Sequence, residues 1–352
     1  MKNIKYIVLL LTMLFSTGAM ASESTEHKEE GFNPVAFLFG HVGDGYEFHI
    51  TEINGHPVSI PLPIIAHSEE RGWFVFSSSH LAHGHSYEGF SIAQGGDFDG
   101  KLVETNSQGQ IVRPFDLSIT KNVFALLLSS VMMLCIFIPM ARSYKKRPLG
   151  VPKKGYSLLE VVINYIEDDV IKPALGHDYL RFSPYLLTVF FFILLNNLMG
   201  LIPIFPFGAN LTGNISVTFV LALFTYLITN ICGTREYYKE VIWPDVPTWL
   251  KVPLPLMPII EIISTLTKPI ALMIRLFANI LAGHLIIMVL MALIFIITIS
   301  MGAVVGGVTA AVSILFSIFM YCLELLVAFI QAYVFTMLSA TFIGMAQVKE
   351  HH

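Results

Sequence analysis

Charged residues are scarce in this chain. Asp, Glu, Lys and Arg make up 13% of its 352 residues, about half the share found in soluble domains. A basic excess is also missing: the net charge is −4 and the pI about 6.3, which excludes a nucleic-acid-binding footprint. Cysteine is nearly absent. The three present, at 135, 232 and 322, lie inside apolar runs, so no disulfide framework is expected. There is no glycine-rich phosphate loop, so no directly bound nucleotide is expected, and no motif calls for a cofactor. An internal repeat of the kind found in many secondary transporters is not visible. What is present is apolar sequence: 55% of residues and a mean hydropathy of +0.69. That excludes a disordered or collagen-like chain and predicts a polytopic helical membrane protein.

The chain opens Met-Lys-Asn-Ile-Lys, continues with an apolar run over Tyr6–Phe15, and reaches small residues at Ala19 and Ala21. This is the pattern of a secretory signal peptide over residues 1–21, with cleavage after Ala21. The run is too short to span a bilayer; the alternative is a short membrane anchor. Residues 22–115 are polar, acidic and rich in His, Gly and Ser. Short β-prone segments at Tyr46–Ile50, Gly72–Ser77 and Lys101–Glu104 predict a small, mostly β, extracytoplasmic domain. Eight of the twelve histidines sit there. His80, His83 and His85 are close enough in sequence to chelate a metal, although a solvated His-rich loop explains them as well.

The membrane domain is expected over residues 116–352. Val123–Met140 is a first span. Six basic residues follow between Arg142 and Lys154, and such a loop stays cytoplasmic. An N-terminus outside and a basic loop inside agree. Ser157–Lys172 is amphipathic: Leu158, Leu159, Val162, Tyr165 and Ile166 recur at helical spacing against Glu160, Glu167, Asp168 and Asp169. Phe182–Phe205 then spans outward, Asn214–Gly233 spans inward, and Arg235–Leu250 is cytoplasmic. Leu254–Ile297 is about 44 residues long, or about 66 Å as a helix, against a hydrocarbon core of about 30 Å. No polar turn divides it, and Gly302–Met345 repeats the pattern. With Thr298–Met301 as the link, a hairpin of two long, steeply tilted helices is expected. The fold class is therefore all-α polytopic, with five membrane helices plus the β domain and a cytoplasmic C-terminus.

Between Pro255 and Met345 the only charged residues are Glu261, Lys268, Arg275 and Glu324, and His284 is the only histidine. Ionisable groups at bilayer depth are costly unless paired or wetted, so each is a functional candidate. Lys268 can snorkel to the interface. Arg275 has apolar sequence on both sides and stays protonated at physiological pH. Positions 261, 268 and 275 are seven apart and share a face, with Asn279 on the same side, whereas His284 projects from the opposite one. Glu324 and Gln331 share a face on the second helix. A His and a Glu on adjacent helices can form a coupled, titrating pair; Gln331 alone is equally explained as a helix–helix hydrogen bond.

Three segments carry a family resemblance. Leu-Met-Ile-Arg275-Leu-Phe-Ala-Asn279-Ile-Leu-Ala-Gly283-His284-Leu resembles the signature of subunit a of the F-type ATP synthase. Leu323-Glu324-Leu-Leu-Val-Ala-Phe-Ile-Gln331-Ala-Tyr-Val-Phe resembles that family's last helix, and Asn197-Leu-Met-Gly200-Leu-Ile-Pro203 its second span. The resemblance implies that Arg275 is the stator arginine facing the ring of c subunits. It implies that Asn197, Asn279, His284, Glu324 and Gln331 line an outer proton path and that Glu261 borders an inner one. It also implies b subunits as partners, a bacterial inner-membrane location, and a proton-translocating but non-catalytic role. Many bacterial members carry the His and Glu of positions 284 and 324 exchanged, and Ala278 stands where glycine is usual. The resemblance does not extend to residues 22–115.

A stand-alone ion channel or secondary transporter also explains charges in the membrane. It does not explain an arginine on a face otherwise free of acid, which calls for a carboxylate on another chain. A receptor with an external sensor domain would rest on residues 22–115 alone.

Overall fold

A computed structural model describes residues 43–53, 56–93, 95, 98–106, 109–146, 154–202, 206–242 and 256–347. The expected signal peptide, the loop residues Arg147 and Lys153, the ends of two predicted segments (203–205 and 243–255) and Lys349–His352 lie outside the described residues.

Among the described residues, eight strands precede the first long helix: β1 (Glu47–Ile53), β2 (His56–Pro61), β3 (Pro63–Ser68), β4 (Gly72–Ser77), β5 (Phe90–Ile92), β6 (Leu102–Thr105), β7 (Ile111–Val112) and β8 (Phe115–Asp116). They pair antiparallel as β1-β2, β4-β3-β8 and β5-β6-β7. In β3 the alternation of Ile64, Ala66 and Ser68 inward sets one buried face. Ile64, Ala66, Tyr46, Leu81, Phe90 and Leu102 form its core. Tyr46 ties distant strands together: its phenol donates to Asp116 Oδ2 at 2.6 Å and accepts from the Leu102 amide at 3.1 Å. Burial and the bond to Asp116 push that phenol's pKa up. Buried Glu104 accepts from Ser68 Oγ and from Arg71 Nη2, both at 2.7 Å. The Arg71 guanidinium lies over the rings of Phe74 and Phe90, at 5.0 and 5.3 Å.

The β region is fastened to the helices at Lys121, where α1 (Lys121–Lys146) begins. The first amides of a helix have no partner within it. Here Lys121 N donates to Gly45 O at 2.9 Å and Asn122 N to Asp44 Oδ1 at 3.1 Å. A second small core of Phe48, Leu62, Ala125 and Ala209 joins β1, α1 and a later loop.

Then come α2 (Lys154–Ile166), a π-helical turn at Glu167–Ile171, a short turn at Lys172–Leu175, α3 (Tyr179–Leu201), α4 (Ile215–Ile231), α5 (Arg235–Ile242), α6 (Leu256–Met301) and α7 (Ala303–Ala346). The amphipathic segment is thus two helical pieces joined by a π turn. Ile166, Val170 and Ile171 are buried, whereas Leu158 and Tyr165 stay exposed. Gly176, at φ +55, breaks the helix before α3, a backbone conformation that glycine adopts without steric cost. Among the described residues, four helical stretches are long and apolar enough to cross a membrane; α4 is apolar but has 17 residues.

The expected hairpin is present, with one correction. The link is not Thr298–Met301, which continues α6, but the single residue Gly302 at φ +87. A left-handed residue reverses the chain without a loop, and glycine fits it. Along α7, Ala332, Phe335, Ala340 and Ile343 pack with Leu186, Phe190 and Ile193 of α3 and with Leu272, Leu276 and Ile280 of α6.

Candidate functional site

His284 of α6 faces Glu324 of α7, its Nδ1 against the carboxylate Oε1. One glycine makes room for them, and a second lies alongside. A Cβ on Gly283 would lie 3.0 Å from Glu324 Oε1, so only hydrogen there lets the carboxylate approach. A Cβ on Gly200 of α3 would lie 3.5 Å from both His284 Nε2 and Ala209 O. Glu324 is 5% exposed, and its Oε2 has no hydrogen-bond partner among the described residues. A carboxylate with one oxygen on an imidazole and the other free and enclosed can share, accept and pass on a proton.

Asn197, also buried, stands beside this pair. It donates to Ala328 O at 3.2 Å and accepts from Thr212 Oγ1 at 2.7 Å. Gln331 is buried two turns beyond Glu324 on α7. The buried polar residues Ser313, Ser317, Glu324 and Gln331, spaced by four, seven and seven, line one face of α7. Of these, the two serines escaped the sequence reading, because a lone serine in an apolar helix signals nothing until its face is known. The buried hydroxyl of Ser317 has no partner among the described residues.

Arg275 lies on the other side of α6. It is exposed, as is Asn279 one turn on, and among the described residues no carboxylate forms an ion pair with it. Asn279 thus stands with Arg275 and not beside His284. Glu261 and Lys268 are half-buried, and the Lys268 ammonium sits 5.7 Å from the ring centre of Phe342. Near them is a recess of about 330 Å³, surrounding open space included, lined by Thr225, Thr229, Asn230, Tyr237, Thr265 and Lys268 among others. It draws on four helices, α4 to α7, so no single segment announces it.

The histidine cluster is described in part. His80 and His85 are exposed, His80 stacks on Tyr87 with ring centres 4.6 Å apart, and the His83 side chain lies outside the described residues. Among the described residues no group of three or more His, Cys, Asp or Glu is placed to hold a metal ion. The thiols of Cys135, Cys232 and Cys322 are free.

Residues 123–344 match the ATP synthase A chain family, and residues 37–120 match a domain of unknown function. The chain is 42% identical over 244 residues to the ATP synthase subunit a of Chloroherpeton thalassium, covering 68% of this chain and 69% of the relative. It is 43% identical over 266 residues to that of Chlorobium phaeobacteroides, covering 72% and 74%. With the ATP synthase subunit a of an Anaeromyxobacter species it is 34% identical over 353 residues, covering 95% and 74%.

Proposed function

The chain belongs to the ATP synthase A chain family, the non-catalytic, proton-translocating stator subunit of the F-type enzyme, and on that premise we propose how its own residues move protons. Arg275 carries the reading. It is a permanent cation on an exposed face of a long apolar helix, without an ion-pair partner among the described residues. Its partner is a carboxylate on a c subunit of the neighbouring ring.

A proton enters from the exported side along the polar face of α7 and reaches the His284–Glu324 pair, with Asn197 and Gln331 holding the path. From there it protonates the c-subunit carboxylate. The neutral carboxyl turns into lipid at little cost, whereas the charged form cannot. After nearly a full turn of the ring it meets the recess beside Lys268 and Glu261 and releases the proton inward. Arg275 separates the two paths: it attracts the ionised carboxylate and repels a cation crossing directly. The membrane potential supplies about 2.3 kcal/mol per charge per 100 mV, so several charges must be summed for each ATP, which a ring does.

The same reading places five passages in the inner membrane of a bacterium: α1, α3, α4, α6 and α7. Residues 1–21 are a signal peptide, residues 22–115 an exported domain, residues 116–352 the membrane domain, and the C-terminus is cytoplasmic. The b subunits complete the stator.

Two experiments test this. In vesicles, Arg275→Ala abolishes ATP synthesis, while passive proton flux persists or rises once the soluble head is stripped. ATP synthesis near the wild-type rate would sink the stator role. For orientation, a background without native cysteines receives a cysteine at exposed Ser79 or exposed Lys145. An impermeant thiol reagent outside intact cells labels the first and spares the second; the reverse pattern overturns the topology.

A further inference from the structure

The β region and the proton-transfer pair meet through one loop. Residues 206–214 join α3 to α4. Ala209 is 7% exposed and is buried in the same small core as Phe48 of β1, Leu62 and Ala125 of α1. Its carbonyl stands near Gly200 of α3, 3.5 Å from where a Cβ on Gly200 would be, and His284 Nε2 lies at the same distance from that point. The next residues reach the site directly: Thr212 Oγ1 donates to Asn197 Oδ1 at 2.7 Å. The loop is anchored to α3 by Gly208 N donating to Met199 O at 3.1 Å, and Asn214 caps α4 by accepting from Ser216 N at 2.9 Å.

The β side of this contact is firmly held. Phe48 packs edge-on against Phe124 of α1, with ring centres 5.6 Å apart. Leu62 N donates to Tyr46 O at 3.3 Å and to Ser78 Oγ at 3.0 Å. Asp44 and Gly45 satisfy the first amides of α1. A loop seated on such a wall can fix the side chain it bonds, which here is Asn197.

We propose that the β region acts as a positioning element for proton transfer: through Phe48 and Leu62 it seats Ala209, and the seated loop holds Asn197, which is bonded to α7 one turn from Glu324. The inference rests on the reading of His284 and Glu324 as an outer relay. It assigns residues 43–120 a task that neither the metal reading nor the sensor reading supplied. Phe48, Leu62 and Ala209 touch no transferred proton; they act through the loop.

The test uses the whole synthase in proteoliposomes. ATP synthesis is measured while the pH of the compartment facing the β region varies at fixed total driving force. Subunit amounts are checked in the same membranes. The titratable groups at the reading end are His284 and Glu324, which face each other, with Tyr321 within electrostatic reach of Glu324. Phe48→Ala and Ala209→Gly are expected to lower the rate by about threefold to tenfold and to displace the pH profile by about half a unit. Phe48→Leu restores much of both. If His284→Ala is impaired while Phe48→Ala and Ala209→Gly keep the wild-type rate and profile at normal subunit levels, the positioning role is overturned. If His284→Ala itself behaves as wild type, the relay reading fails and this inference with it. Should Phe48→Ala be lost from the membrane, Ala209→Gly, which removes one methyl, decides.

Discussion

Arg71 and Arg275 mark the difference between the two regions of the molecule. Arg71 of the β region donates to Glu104 through Nη2 at 2.7 Å and Nε at 3.1 Å, and two phenylalanine rings flank it. Its charge is answered inside its own fold. Arg275 is exposed on α6 and has no carboxylate partner among the described residues. A cation answered locally stabilises structure, whereas one left open in apolar surroundings implies a partner from elsewhere. On the proposed reading the same residue type is structural in one region and functional in the other, and the location of the nearest carboxylate tells them apart.

The strongest way to break this contrast is a charge-preserving change at each arginine. Arg275→Lys keeps the cation but loses the planar, always-protonated head. It should cut ATP synthesis by about two orders of magnitude or more. Arg71→Lys should leave synthesis close to wild type. Equal losses at unchanged subunit levels would erase the distinction.

Next in size is the His284–Glu324 pair. Alanine at His284 or Glu324 alone should reduce proton-driven synthesis by about tenfold or more. The double exchange His284→Glu with Glu324→His should recover part of it, because the chemical groups survive the swap. An exchange as inactive as the worse single variant would show that they do not act as a unit.

Arg71→Ala carries a smaller and different penalty. It strands Glu104 without its charge partner and should destabilise the β region by about 2–3 kcal/mol. Protease susceptibility in urea, measured on the membrane-bound protein, reads this directly. Glu104→Gln in the same chain should return part of the loss.

The smallest effect sharpens the contrast at atomic scale. Gly283→Ala pushes a methyl to 3.0 Å from Glu324 Oε1, whereas Gly200→Ala adds one at an ordinary 3.5 Å from His284 Nε2. Synthesis should fall by about threefold to tenfold in the first and hardly at all in the second.

Much of the helical region was legible in the sequence because apolar runs are long and charges within them few. Arg275, His284 and Glu324 stand out against that background, and helical spacing alone put Arg275 and His284 on opposite faces. The β region was legible as a set of segments: Gly72–Ser77 is a strand over the expected residues. Its pairing was not legible, since β3 joins β4 and also distant β8, and register between remote strands leaves no local trace. The π turn at Glu167–Ile171 and the recess beside Lys268 were hidden for a similar reason, as each depends on packing between helices. Ala209 is the extreme case. An alanine in a loop carries no signal, and its place between the β region and Gly200 of α3 emerges only in three dimensions.

Gly302 has a mechanical consequence. With α6 of 46 residues and α7 of 44 joined by one residue, the hairpin has no slack at its tip. Its buried seam runs from Leu272 and Leu276 to Phe335 and Ile343, and close-packed interiors yield little under load. A subunit that must stay still while a rotor turns against it experiences torque, and any bending stores work that never reaches the catalytic head. The joined pair behaves as a stiff girder. Lengthening the link at Gly302 by a few flexible residues would make that girder compliant, and the loss would appear as slippage under load before it appeared in the unloaded rate.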